Sequence, residues 1–169
     1  MSSTRSGQVP RWAQYTTLTL SIAAAAVASY LTFTHYSDPA ALACPDTGVV
    51  NCTLVTTSSW SVFFGVPVAL LGLIWSLVMV GLTLPWSWRT ASVAFDRARL
   101  AASALGAAAV LYLVYVELFR IGAICLWCTA VHALAVCLFG AVLAAGAAAR
   151  RDAPVGVRRA PGRLPRPLR

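Results

Sequence analysis

Cys125 and Cys128 form a C-x-x-C within RIGAICLWCTAVHALAVCLFGAVLAAGAAAR, residues 120–150. Two thiols at that spacing do one of two kinds of chemistry: they hold a metal, or they open and close a disulfide. Their setting is unusual, because the pair lies at one end of 29 residues, Ile121 to Ala149, without a formal charge. A second pair, Cys44 and Cys52, brackets CPDTGVVNC, where a Pro, an Asp and a Gly favour a turn that brings the sulfurs together. With two dithiols in one chain, exchange between the pairs is available chemistry, provided the fold delivers both to one place.

The elements that must do so are membrane helices. Hydrophobic residues make up 59% of the chain and charged ones 11%, with a mean hydropathy of +0.75, far from the soluble balance. Charge-free intervals run from Trp12 to Ser37, Thr47 to Trp88, Leu100 to Val116 and Ile121 to Ala149, each able to hold the roughly 20 apolar residues that cross a bilayer. Helices are expected near 14–34, 62–84, 99–119 and 122–148, an all-α bundle of four transmembrane helices with a loop and short helix between the first two. Residues 1–13 then form a cytoplasmic N-terminus, 14–149 the membrane domain and 150–169 a disordered basic tail.

All 13 basic residues are Arg, and four spans put 12 of them on one side, with Arg120 alone on the other. Positive charge marks the cytoplasmic side, so both termini are expected inside, and the 35–60 loop and the turn near Arg120 outside, which puts Cys44, Cys52, Cys125 and Cys128 at the outer face. The net charge of +8 does not point to nucleic acid, because seven of the arginines lie in the Pro-rich stretch from Arg150 onward, suited to anionic headgroups. The first span reads as a retained anchor and not as a cleaved signal, since polar HYSDP separates its apolar run from ALAC.

Helix four, starting near Ile121, carries Cys125 and Cys128 in its first two turns, where the helix dipole lowers a thiol's pKa and burial raises it. Their i, i+3 spacing puts both sulfurs on one face. His132 lies one turn deeper on that face, an ionisable group at membrane depth suited to holding a polar ligand atom. Phe63, Phe64 and Trp127 are candidates for the wall of a cleft there, and Pro67 is expected to bend helix two beside it. Glu117 and Arg120 are expected to pair at the interface, and Cys137 to be an inert packing thiol. Two alternatives stand beside redox exchange: a closed zinc site of the four cysteines, and a scaffold whose disulfides are structural. A c-type haem is excluded because Thr129, not His, follows Cys128.

The order Cys-x7-Cys, then SSWSVFFGVPVALLGL, then YLVYVELFRIGAICLWC resembles the bacterial vitamin K epoxide reductase homologues over roughly residues 15–148. The resemblance implies a thiol:quinone oxidoreductase of the bacterial inner membrane that takes electrons from a separate thioredoxin-fold, DsbA-like protein and passes them to a membrane quinone of menaquinone or ubiquinone type. Cys44 would exchange with the partner, Cys52 would relay to Cys125, and Cys128 would sit against the quinone. It also implies an orienting role for Ser58, which matches a family serine and reads equally as the N-cap of a short surface helix. At His132 the sequence departs from vertebrate members, which carry Tyr.

Overall fold

The computed structural model describes residues 9–45, 47–90 and 92–151. The expected tail beyond Arg151 and the first eight residues lie outside that range. Helix α1 spans Arg11–Ser37. After a 3-10 turn at Pro39–Ala41 come α2 (Cys52–Thr57) and a second 3-10 turn at Ser59–Ser61. A hairpin of two-residue strands, β1 (Val62–Phe63) and β2 (Val66–Pro67), leads into α3 (Val68–Thr83) and α4 (Pro85–Arg89). Helix α5 (Val93–Val116) continues as a π turn at Glu117–Ile121, and α6 (Leu126–Arg151) completes the described chain.

Three segments, Arg11–Ser37, Val93–Ile121 and Leu126–Arg151, are long and apolar enough to cross a membrane, so the chain is a membrane protein; α3 is apolar but has only 16 residues. It starts at Val68 and not near 62, because Phe64 (φ +49°) and Gly65 (φ +81°) take left-handed conformations that fold residues 62–67 into the hairpin. Pro67 therefore stands ahead of the helix, at its N-cap, and puts no bend into it. Helix α6 likewise starts at Leu126, not 122: Gly122 (φ +74°) ends the π turn, and the chain runs extended up to Cys125.

The four long helices close a ring in which α1 packs on α3 and α6, and α5 on α6 and, less extensively, α3. The buried face of α1 is made of Ala13, Thr17, Ser21, Ala24 and Ala28. Lipid tails are as apolar as Leu, so helices associate where small residues let backbones approach and hydroxyls find partners. Thr17 and Ser21 donate to carbonyls one turn back, at 2.8 Å each, and Thr83 of α3 donates to Ser21 at 3.3 Å. Gly106 of α5 faces the indole of Trp75 of α3, whose Nε1–H donates to the Ala102 carbonyl at 2.8 Å.

The end opposite the cysteines is tied by Arg99. One of the 12 arginines assigned to the cytoplasmic side, it is 1% exposed. Its guanidinium donates to the Leu82 carbonyl at 3.0 Å and to Asp96 at 2.8 Å, and lies 3.4 Å from the centre of the Trp88 ring.

Candidate functional site

The two cysteine pairs meet because of a short stretch of parallel backbone pairing. Val50 bridges Ile124; Ile124 N–H donates to the Val49 carbonyl at 2.9 Å, and Asn51 N–H to the Ile124 carbonyl at 3.1 Å. Asn51 then caps α2, its Oδ1 accepting from Leu54 N–H at 2.8 Å, which puts Cys52 at the first helical residue. Cys52 and Cys125, 1% and 0% exposed, share one buried cluster with Leu31, Leu42, Val55 and Ala123, and Cys44 and Cys128 pack against it. Cys44 and Cys52 are joined by a disulfide with a Cα–Cα distance of 6.0 Å, while Cys125 and Cys128 are free thiols.

Within the inner pair the expected placement shifts by one turn. Cys125 stands just before α6 and Cys128 in its first turn; Cys128 N–H donates to Cys125 Sγ at 3.3 Å, so a sulfur takes the part an N-cap hydroxyl plays. Thr129 holds the Cys125 carbonyl with its N–H at 2.8 Å and its hydroxyl at 2.9 Å. The hydrogen bond from the Cys128 thiol, helped by the backbone N–H groups of Cys128 and Trp127, holds the Cys125 thiol below its ordinary pKa against the opposing effects of burial and of the Glu117 charge.

Beside this pair lies a cavity of about 930 Å³ walled by all four long helices and by the hairpin. Cys128 and His132 line it, as do Ser58, Phe63 and Phe64 at its mouth. His132 is 8% exposed, and its Nδ1 has no hydrogen-bond partner among the described residues. The Ser58 hydroxyl donates to the Val55 carbonyl at 2.8 Å, closing α2 instead of capping the turn that follows. Phe63 and Phe64 stack edge to face, 4.6 Å between ring centres, and Phe64 is 90% exposed.

Trp127, expected in the cleft wall, lies elsewhere. Its Nε1–H donates to the Ala43 carbonyl at 2.9 Å and its ring packs 4.8 Å from Tyr30, whose hydroxyl accepts from Ala43 N–H. It clamps the segment that carries Cys44. The expected Glu117–Arg120 pair does not form: Arg120 lies over the Trp60 ring at 5.1 Å, and the only ion pair among the described residues is Arg99–Asp96. Cys137 is exposed on the outside of α6 and packs in no core.

Sequence reasoning missed two residues that shape this site and misassigned a third. Asn51 had a legible signal, a strong N-capping residue immediately before Cys52. Glu117, buried among the cysteines, was visible as an acid within an apolar run. Trp75 showed nothing to set it apart from the other indoles.

Among the described residues no three of His, Cys, Asp and Glu stand together as metal ligands. One pair is bonded and one is free, and a mostly apolar cavity lies beside the free pair. No curated protein matches the chain. The family model described as vitamin K epoxide reductase family matches residues 15–143, and with that match over most of its length the chain belongs to this family of membrane oxidoreductases.

Proposed function

We propose that this protein is a thiol:quinone oxidoreductase that oxidises a separate thioredoxin-fold, DsbA-like protein at Cys44/Cys52 and delivers the electrons through Cys125/Cys128 to a membrane quinone, so supporting disulfide formation in exported proteins. One observation carries it: the Val50–Ile124 pairing sets Cys52 and Cys125 in one buried cluster while Cys128 faces the cavity. The donor set fits a quinone of menaquinone or ubiquinone type. The cavity is of the size that ligand sites occupy and its wall is mostly apolar, with the unpartnered His132 Nδ1 as a polar group for a carbonyl oxygen. A bound quinone supplies an acceptor for two electrons and two protons.

The chain's own residues perform the exchange. Cys44, partly exposed, is the sulfur a partner thiolate reaches, and Cys52 leaves as thiolate; the partner's second thiol then attacks the partner's own sulfur in the mixed disulfide, so that the partner departs oxidised and Cys44 is freed. With the inner pair oxidised, the Cys52 thiolate attacks Cys125 and Cys128 leaves; Cys44 then attacks Cys52, restoring the outer disulfide and freeing both inner thiols. The low pKa of Cys125 makes it a good leaving group in that last step. Ser58, its hydroxyl already donated to Val55, still has lone pairs to accept from a ligand or thiol at the cavity mouth.

The topology proposed is four spans in a bacterial inner membrane, both termini cytoplasmic and the cysteines at the outer face. Helix α3, about 24 Å long at 1.5 Å per residue, falls short of the roughly 30 Å hydrocarbon layer, and the hairpin before it and α4 after it complete the crossing. An anaerobic assay with a reduced thioredoxin-fold protein and a benzoquinone or naphthoquinone, followed by the quinone spectrum, tests the activity; no turnover with any donor and quinone would favour a scaffold with structural disulfides. An impermeant thiol reagent that reached reduced Cys44 and Cys52 only from the inner face would invert the topology.

A further inference from the structure

Glu117 is a buried acid that no step above employs. It is 6% exposed, lines the same cavity as Cys128 and His132, and its carboxylate faces the Cys125 backbone N–H. Its charge acts on both inner sulfurs. Its own carbonyl accepts from Gly122 N–H at 2.9 Å and Ala123 N–H at 3.3 Å, so the π turn fixes where its side chain meets the dithiol. A buried carboxylate without a paired cation is costly. Capping Cys125 N–H does not account for it, since a neutral amide would cap as well.

We propose that Glu117 takes up a proton from the Cys125/Cys128 dithiol as that pair is oxidised, an inference that rests on the redox reading of the pair. Closing the inner disulfide breaks two S–H bonds, forms one S–S bond and sends two electrons to the quinone. The Cys125 proton passes to the Glu117 carboxylate, making its O–H. The Cys128 proton leaves directly into the cavity, and the Glu117 proton follows, so two electrons and two protons reach the quinone. The titratable groups sharing the cavity wall are His35 of α1, Tyr112 of α5, and Cys128 and His132 of α6; α3 contributes none. Arg120, on the same turn, is engaged by Trp60.

Glu117→Gln in the full-length protein keeps an acceptor for Cys125 N–H but cannot take a proton. Two measurements are made on it: anaerobic reduction of a soluble quinone by the dithiol form, and the pH profile of Cys125 alkylation in quinone-free protein, read by mass spectrometry. Quinone reduction should fall about 100-fold, the scale of a lost proton acceptor. Alkylation at mildly alkaline pH should instead become faster, because a negative charge beside the thiol is gone. Damage to the fold would not move the two in these opposite directions, and Glu117→Asp should recover part of the quinone rate. A wild-type quinone rate in Glu117→Gln, or an alkylation profile that is unchanged or slower, overturns the proposal. If the wild-type protein reduces no quinone, the functional reading falls by itself; the alkylation profile then decides whether Glu117 is coupled to the thiols.

Discussion

A methyl group added at Gly106 tests whether the cavity wall is as tightly determined as its geometry says. A Cβ there would overlap the Trp75 ring at its Cε2 and Cζ2 atoms. These are not the tip of a flexible chain. The ring is held by its Nε1–H bond to Ala102 O, one turn before Gly106 on the same helix, so it cannot swing aside and keep that bond. Overpacking of this kind costs about 1–3 kcal/mol, and the lost hydrogen bond about 1 kcal/mol more. Gly106→Ala should therefore be less stable by about 2–4 kcal/mol, as read from denaturant unfolding of the detergent-solubilised protein. Because Trp75 and Gly106 both line the cavity, the displaced ring should also raise the quinone KM. Trp75→Leu removes both the clash and the bond, so the double variant Gly106→Ala/Trp75→Leu should be less destabilised than the sum of the single ones. Wild-type stability in Gly106→Ala, or strict additivity in the double variant, would refute the close packing of α3 on α5 described above.

His132→Leu keeps bulk and removes the hydrogen bond available to a ligand, so quinone KM or the rate of quinone reduction should worsen by about tenfold in steady-state assays, with partner-to-loop exchange unchanged. Cys44→Ala removes the resolving sulfur, and under quinone without partner a Cys52–Cys125 bond should accumulate; non-reduced digests showing only a Cys125–Cys128 bond would sink the relay. Trp127→Phe deletes the 2.9 Å bond to Ala43. That loosens the segment carrying Cys44 by about 1 kcal/mol, and a glutathione redox titration should find the Cys44–Cys52 disulfide about fivefold easier to reduce.

The class of the protein was legible in its composition, because a bilayer demands long charge-free runs and nothing in a soluble core does. Element starts were less so. Phe64–Gly65 and Gly122 delay α3 and α6 by several residues, and their left-handed backbone is a local choice that hydropathy does not report. That delay turned Cys125 from a helical residue into a cap. Arg99 is legible as a charge but not as a buried one, since its cost is met by Leu82, Ser87 and Trp88 from two other helices.

The sequence by itself determined the membrane class, the two dithiols and, through their order along the chain, the family. Only tertiary structure decided which groups surround them. The Val50–Ile124 pairing, which brings Cys52 to Cys125, depends on residues more than 70 positions apart and on backbone atoms that every residue type shares, so no side-chain pattern announces it. The same holds for Glu117 and Trp127: an acid three residues before an arginine reads as an ion pair, and an indole beside a dithiol at a helix start as part of a cleft wall. Glu117 is buried while Arg120 lies over Trp60, and a carbonyl of the Cys44 segment claims Trp127.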